Sequence, residues 1–150
     1  MATQTARRTS RTKRAAAPVP DSGLARIIDP GWSWDDKLPL AQAKQIGNTI
    51  YVSGQVAFNA QGKLVGKENM KTQTRQVFRN IKAVLRAAGA KMEHVVKINT
   101  YITDADKFMD MLEARGDIFG DNPPASTAVV VAGLAFPGLL IEVEAIAVKP

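Results

Sequence analysis

Two acids, Glu142 and Glu144, stand two residues apart inside the apolar run Leu139 to Val148. Strand side chains alternate in direction, so both carboxylates leave one face together with Ile146 and Val148. Ile141, Val143, Ala145 and Ala147 take the other face. Such a pair has two readings. On an edge or rim strand, glutamates sit in water, pair with lysine or discourage edge-to-edge association. At a subunit seam, a carboxylate can orient a water or a substrate nitrogen and work as an acid or base.

Other polar residues could join that chemistry. Ser53 precedes Gly54 in a strand-like run, where a hydroxyl beside a glycine can offer side-chain and backbone donors to a ligand. A glycine in such a run marks a bulge or a close backbone approach. Ser126 and Thr127 follow the Pro123–Pro124 corner and serve either as turn residues or as donors to an anion. Asn99 and Tyr101 lie on the polar side of an alternating run and read as rim residues. Lys107, Arg115 and His94 read as surface charges, and Trp32 and Trp34 as anchors that pin the first segment onto the body. The absence of cysteine removes disulfides, thiolate catalysis and zinc-thiolate sites. A single histidine leaves little for a histidine metal site or a Ser-His-Asp triad.

The elements that must position these groups follow from periodicity. Ile50 to Val52 begin a strand. Val77, Phe78, Ile81, Val84, Leu85 and Ala88 recur at helical spacing, with Gly89 placed to end that helix. Val96, Ile98, Thr100 and Ile102 form the apolar side of a second strand. Thr103 or Asp104 can cap a second helix with Phe108, Met111, Leu112 and Phe119 as its stripe, and Pro123 and Pro124 end it. The last two apolar runs are expected to form a hairpin or a neighbouring pair, joined through Gly133 to Gly138. Two helices can cover one face of such a sheet. The other still carries apolar residues, and in a chain of 150 residues the economical cover is a second copy of itself, so a homo-oligomer is expected.

The chain reads as one domain, residues 27–150, behind a basic tail, residues 1–26. The net charge of +6 is mainly a tail property: without Arg7, Arg8, Arg11, Lys13 and Arg14, 15 basic residues face 14 acidic ones, a body near +1. Attraction to nucleic acid therefore belongs to the tail, and a near-neutral body argues against a nucleic-acid groove. The tail's composition suits a solvated extension, and its Arg-rich, acid-poor character also suits an organelle transit peptide. The expected location is the cytoplasm, or an organelle matrix if the tail is a transit peptide. No apolar run has the length of a bilayer span, so no membrane partner is expected.

Three stretches, "IYVSGQVAFNAQGKLVG", "VVKINTYITDADKFMDM" and "NPPASTAVVVAGL…LIEVEAIAV", resemble the reactive-intermediate deaminase family, also called RidA or YjgF-like proteins. The resemblance covers residues 40 to 148. It implies an α+β, chorismate-mutase-like fold, with a mixed sheet, two helices on one face and a barrel-centred homotrimer with ligand clefts between subunits. It implies hydrolysis of 2-imino acids and their enamine tautomers to 2-keto acids and ammonia, a small-molecule metabolite as partner, and no metal or organic cofactor. Ser53 falls on the family's pocket serine and Glu144 on the glutamate that positions the attacking water. Asn99, Ser126 and Thr127 complete the expected substrate-binding set. The corner departs from the pattern: Pro124 to Ala128 reads Pro-Ala-Ser-Thr-Ala where archetypal members have Pro-Ala-Arg-Ser-Cys, and Leu40 stands at a usual tyrosine. A hydrogen bond to a charged group contributes about 1.5–3 kcal/mol. Loss of the arginine fork therefore costs about ten- to a hundredfold in productive binding. The expectation is an imine or enamine deaminase whose substrate is not the standard 2-imino acid. The alternative is a non-catalytic metabolite-binding or chaperone-like homotrimer.

Overall fold

The structure is a computed structural model and describes residues 25–36 and 38–150. The basic tail expected over residues 1–26 lies almost wholly outside the described residues.

The described residues form six strands and two helices: β1 (Arg26–Ile28), β2 (Ala43–Ile46), β3 (Thr49–Val56), α1 (Met70–Ala87), β4 (Val95–Ile102), α2 (Phe108–Phe119), β5 (Ala125–Val130) and β6 (Ile141–Val148). Short 3-10 turns at Met92–His94 and Ala105–Lys107 lead into β4 and α2. The sheet order is β1-β2-β3-β6-β4-β5. The expected α+β architecture, a mixed sheet with both helices on one side, is what the chain adopts. The last two runs correct the expected hairpin. β5 pairs in parallel with β4, and β6 inserts antiparallel between β3 and β4. The ten residues from Val131 to Leu140 carry the chain across β4, a span a tight hairpin does not need. Glu142 and Glu144 therefore belong to a central strand, which rules out the edge-strand reading.

Local sequence explains the helices. The Asn69 side chain caps α1 by accepting from the Thr72 amide at 2.9 Å. At the other end Gly89 takes a φ of 73°, the Ala90 amide reaches Leu85 O at 2.8 Å and the Gly89 amide reaches Arg86 O at 3.1 Å. That crossed pair is a Schellman cap, which glycine adopts without a Cβ penalty. Val77, Ile81, Val84 and Leu85 are fully buried against Ile50, Ile98, Val143 and Ala147 of the sheet. α2 packs on α1 through Phe78 and Phe119, whose rings meet edge to face at 5.3 Å. The Lys71–Glu113 and Arg75–Asp117 pairs, at 2.6 and 3.2 Å, line the same helix seam. Buried Gln73 ties α1 to the loops: its amide donates to Gly138 O at 2.8 Å and to Gly66 O at 3.2 Å, and its oxygen accepts from the Leu140 amide at 2.8 Å. Trp32 is buried and stacks on Trp34 at 6.2 Å, holding the first segment against the body.

Two bulges shape the sheet. In β4 the pairing shifts between Val95 and Lys97, so Val96 is the extra residue. Val95 is buried in its place, and Val96 is exposed rather than facing the helices with Ile98, Thr100 and Ile102. In β3 the pairing shifts between Val52 and Gln55. Ser53 and Gly54 there oppose a single residue of β6, Glu144.

Candidate active site on the open sheet face

Among the described residues, no helix covers the sheet face that carries Glu142 and Glu144. Alternation places Tyr51 of β3, Lys97, Asn99 and Tyr101 of β4, Thr127 of β5, and Ile146 of β6 on that side. A small pocket of about 190 Å³ opens there, lined by Tyr51, Lys97, Asn99, Glu144 and Ile146 over the backbone of Val52 and Ala145.

Glu144 is held from β4. Asn99 Nδ2 donates to Glu144 Oε1 at 2.7 Å, and the Tyr101 hydroxyl donates to the same oxygen at 3.4 Å. Both contacts join residues more than forty apart in sequence, brought level by the β4–β6 register that pairs Asn99 with Glu144. Holding one oxygen leaves Oε2 for a ligand or water. Lys97 fills the next position on β4. Its ammonium donates to Thr127 Oγ1 at 2.9 Å and has no acid within ion-pair distance among the described residues.

The bulge gives the second carboxylate its place. A Cβ added at Gly54 would lie 2.8 Å from Glu142 Cδ, so the Glu142 side chain occupies the volume that glycine leaves free. Removal from water, and then repulsion from Glu144, raise the Glu142 carboxyl above its ordinary range. Desolvation, followed by the charge and hydrogen bond of Glu144 and the charge of Glu142, raises the Tyr101 phenol, which therefore stays protonated as a donor.

The sequence candidates divide. Glu144 and Asn99 meet directly, and Thr127 joins them through Lys97. Ser53 lies in the bulge opposite Glu144, but its hydroxyl donates to Ala41 O at 2.6 Å and does not line the pocket. Ser126 pairs with Ile98 and so belongs to the helix side of β5, where its Oγ accepts from Arg115 Nη1 at 2.8 Å. Arg115 is thus a half-buried donor to the β5 edge, rather than a solvated surface charge, and desolvation lowers its pKa. Lys97 and Tyr51, which line the pocket, and Tyr101, which bonds to Glu144 beside it, are the residues that sequence reasoning did not single out as ligands. The signal for Lys97 and Tyr101 was their two-residue spacing from Asn99. Among the described residues no group of three or more His, Asp or Glu side chains gathers as a metal site. None of the described helices is long and apolar enough to cross a membrane.

Comparisons with known proteins bear on the family and the fold. Residues 35–149 match the family model described as Endoribonuclease L-PSP. A RutC family protein of Pyrococcus abyssi is 41% identical over 111 residues, covering 74% of this chain and 87% of its own. A 2-iminobutanoate/2-iminopropanoate deaminase of Dermatophagoides farinae is 36% identical over 110 residues, 73% of this chain and 85% of its own. The crystal structure of RidA from the Antarctic bacterium Psychrobacter sp. PAMC 21119 superposes with a TM-score of 0.69 at 38% identity, over 74% of this chain and 89% of that one. The motifs, the sheet order and these matches coincide: the chain is a member of the RidA/YjgF family and has its chorismate-mutase-like fold.

Proposed function

We propose that this protein is a hydrolytic deaminase of a small imine or enamine, with Glu144 as the group that positions and deprotonates the attacking water. The observation that carries the reading is the Glu144 carboxylate, anchored on one oxygen by Asn99 at 2.7 Å and lining a pocket. A volume of about 190 Å³ admits a substrate of a few heavy atoms.

In the reaction, a protonated imine carbon takes the oxygen of water. Glu144 receives the proton that water releases and returns it to the nitrogen of the carbinolamine. The C–N bond then breaks while the carbinolamine hydroxyl passes its proton to Glu144, giving a carbonyl and ammonia, and the ammonia carries that proton away as ammonium. An enamine enters the same path after protonation at carbon. Rate comes from holding water and electrophile in line in a partly dry site. Lys97, already turned into the pocket, offers the cation that Ser126 does not, so an anionic imine is the matching substrate.

The open face is proposed to close against further copies of the chain, three in the closed ring. Ile27, Tyr51 and Val129 are exposed on it at 65%, 51% and 43%, an apolar surface that association would remove from water. A neighbour's β5 edge would then bring Ser126, with its attached Arg115, and Thr127 toward a cleft that also holds Ser53, Asn99 and Glu144. The missing arginine at position 126 favours one competing reading, a homotrimer that binds the metabolite without turnover.

Ammonia release from freshly generated 2-iminopropanoate and from larger anionic imines separates the two. Glu144→Gln should lower it by about 10²–10⁴-fold, the usual contribution of a positioned acid–base group. Ligand binding without ammonia release by the unaltered protein would overturn the enzymatic reading.

A further inference from the structure

A second concavity, of about 640 Å³, lies on the helix side of the molecule between α1, the 3-10 turn after it and α2. Its floor is apolar: Phe78, Ala90, Met92 and Ile118. Its rim is basic, with Arg75, Arg79, Lys82 and Arg86 from α1, then Lys91, against one acid, Glu93.

The rim charges are unevenly matched. Arg75 pairs with Asp117 at 3.2 Å and Lys91 with Glu93 at 3.3 Å. Among the described residues Arg79, Lys82 and Arg86 have no acid within ion-pair distance. They stand three and four residues apart on one side of the helix, spread over about 10 Å of its axis. Like charges at those spacings repel and destabilise a helix. The repulsion is relieved by a ligand that brings negative charge. Two of the three are arginines, whose forks suit phosphate oxygens. The volume lies within the range of small-molecule sites.

We propose that this groove is a binding site for a small organic polyphosphate, separate from the Glu144 pocket. Its phosphates meet Arg79, Lys82 and Arg86, and its organic body covers Met92 and Ile118. With only three unmatched cations, a nucleic-acid strand would gain few phosphate contacts, so a compact ligand is the better match.

Titration calorimetry on the full chain tests this with ATP, inorganic triphosphate and a single-stranded RNA 20-mer as probes. ATP is expected to bind, and triphosphate, which lacks a body for the floor, more weakly. An Arg79→Gln/Arg86→Gln variant should bind ATP about tenfold or more weakly for each arginine lost. That variant should fold normally, since it removes like charges, and should leave ammonia release unchanged. Met92→Gln should weaken ATP and leave triphosphate alone. No ATP binding, unchanged ATP affinity in the double variant, or triphosphate as tight as ATP would each overturn the proposal. RNA binding tighter than ATP and lost in the double variant would replace it with a nucleic-acid surface.

Discussion

Replacing Gly54 by alanine isolates why a glycine occupies the bulge opposite Glu144. Gly54 is not among the glycines with positive φ, so its backbone conformation is open to alanine. The obstacle is steric. The new methyl would lie 2.8 Å from Glu142 Cδ and 3.1 Å from its Cγ. Carbon atoms pack at about 3.5–4.0 Å. Glu142 must therefore swing to another rotamer, away from its slot and among the other groups of that face. Overpacking costs about 1–3 kcal/mol, and a flexible, half-exposed side chain places this case near the lower half, about 1–2 kcal/mol. A domain of this size loses about 2–4 °C of Tm per kcal/mol, so Gly54→Ala should lower Tm by about 2–8 °C. In a Glu142→Ala background the obstacle is gone. The same substitution should then be neutral or stabilise by about 0.4–1 kcal/mol, because alanine restricts the unfolded chain. Chemical denaturation of the four proteins completes the cycle. Equal destabilisation in both backgrounds would refute the close-approach argument and point to the bulge backbone.

Asn99→Ala removes the 2.7 Å bond to Glu144. A bond to a charged group contributes about 1.5–3 kcal/mol, so kcat/KM for ammonia release should fall about ten- to a hundredfold; a change under twofold would separate Asn99 from the chemistry. Glu142→Gln tests linkage. The raised carboxyl holds its proton more tightly folded than unfolded, so ionised Glu142 costs stability once pH exceeds the unfolded value, and the cost is complete above the folded one. The variant should therefore melt higher than the parent at neutral pH, with the gap closing below the ordinary carboxylate range. Gln73→Leu strands the carbonyls of Gly66 and Gly138 and the amide of Leu140. At about 1–3 kcal/mol for each buried unsatisfied group, a loss of about 3 kcal/mol or more should appear in denaturant titration, with faster amide exchange at Leu140.

Much of the framework was legible in the chain because it rests on local rules. The 3.6-residue recurrence from Val77 to Ala88 and the glycine after it marked α1 and its cap. Alternation in β6 placed both glutamates on one face, and Gly54 announced its bulge. Long-range partners were not legible. Nothing near Ser126 shows that an arginine eleven residues earlier bonds to it. Val96 looked like a core residue until the β4 bulge turned it outward. β6 looked like half of a hairpin, because sequence neighbours usually pair, yet the crossover through α2 sends β5 to the far side of β4.

The residue types and the period of two by themselves determined that an acidic pair shares a sheet face, since alternation is a property of the extended backbone. Only the tertiary structure decided what that face does. The register of β6 against β4, set by helix packing on the other side, brings Asn99, Tyr101 and Lys97 beside Glu144. The contacts that orient a carboxylate are made between strands, and no spacing along one strand contains them.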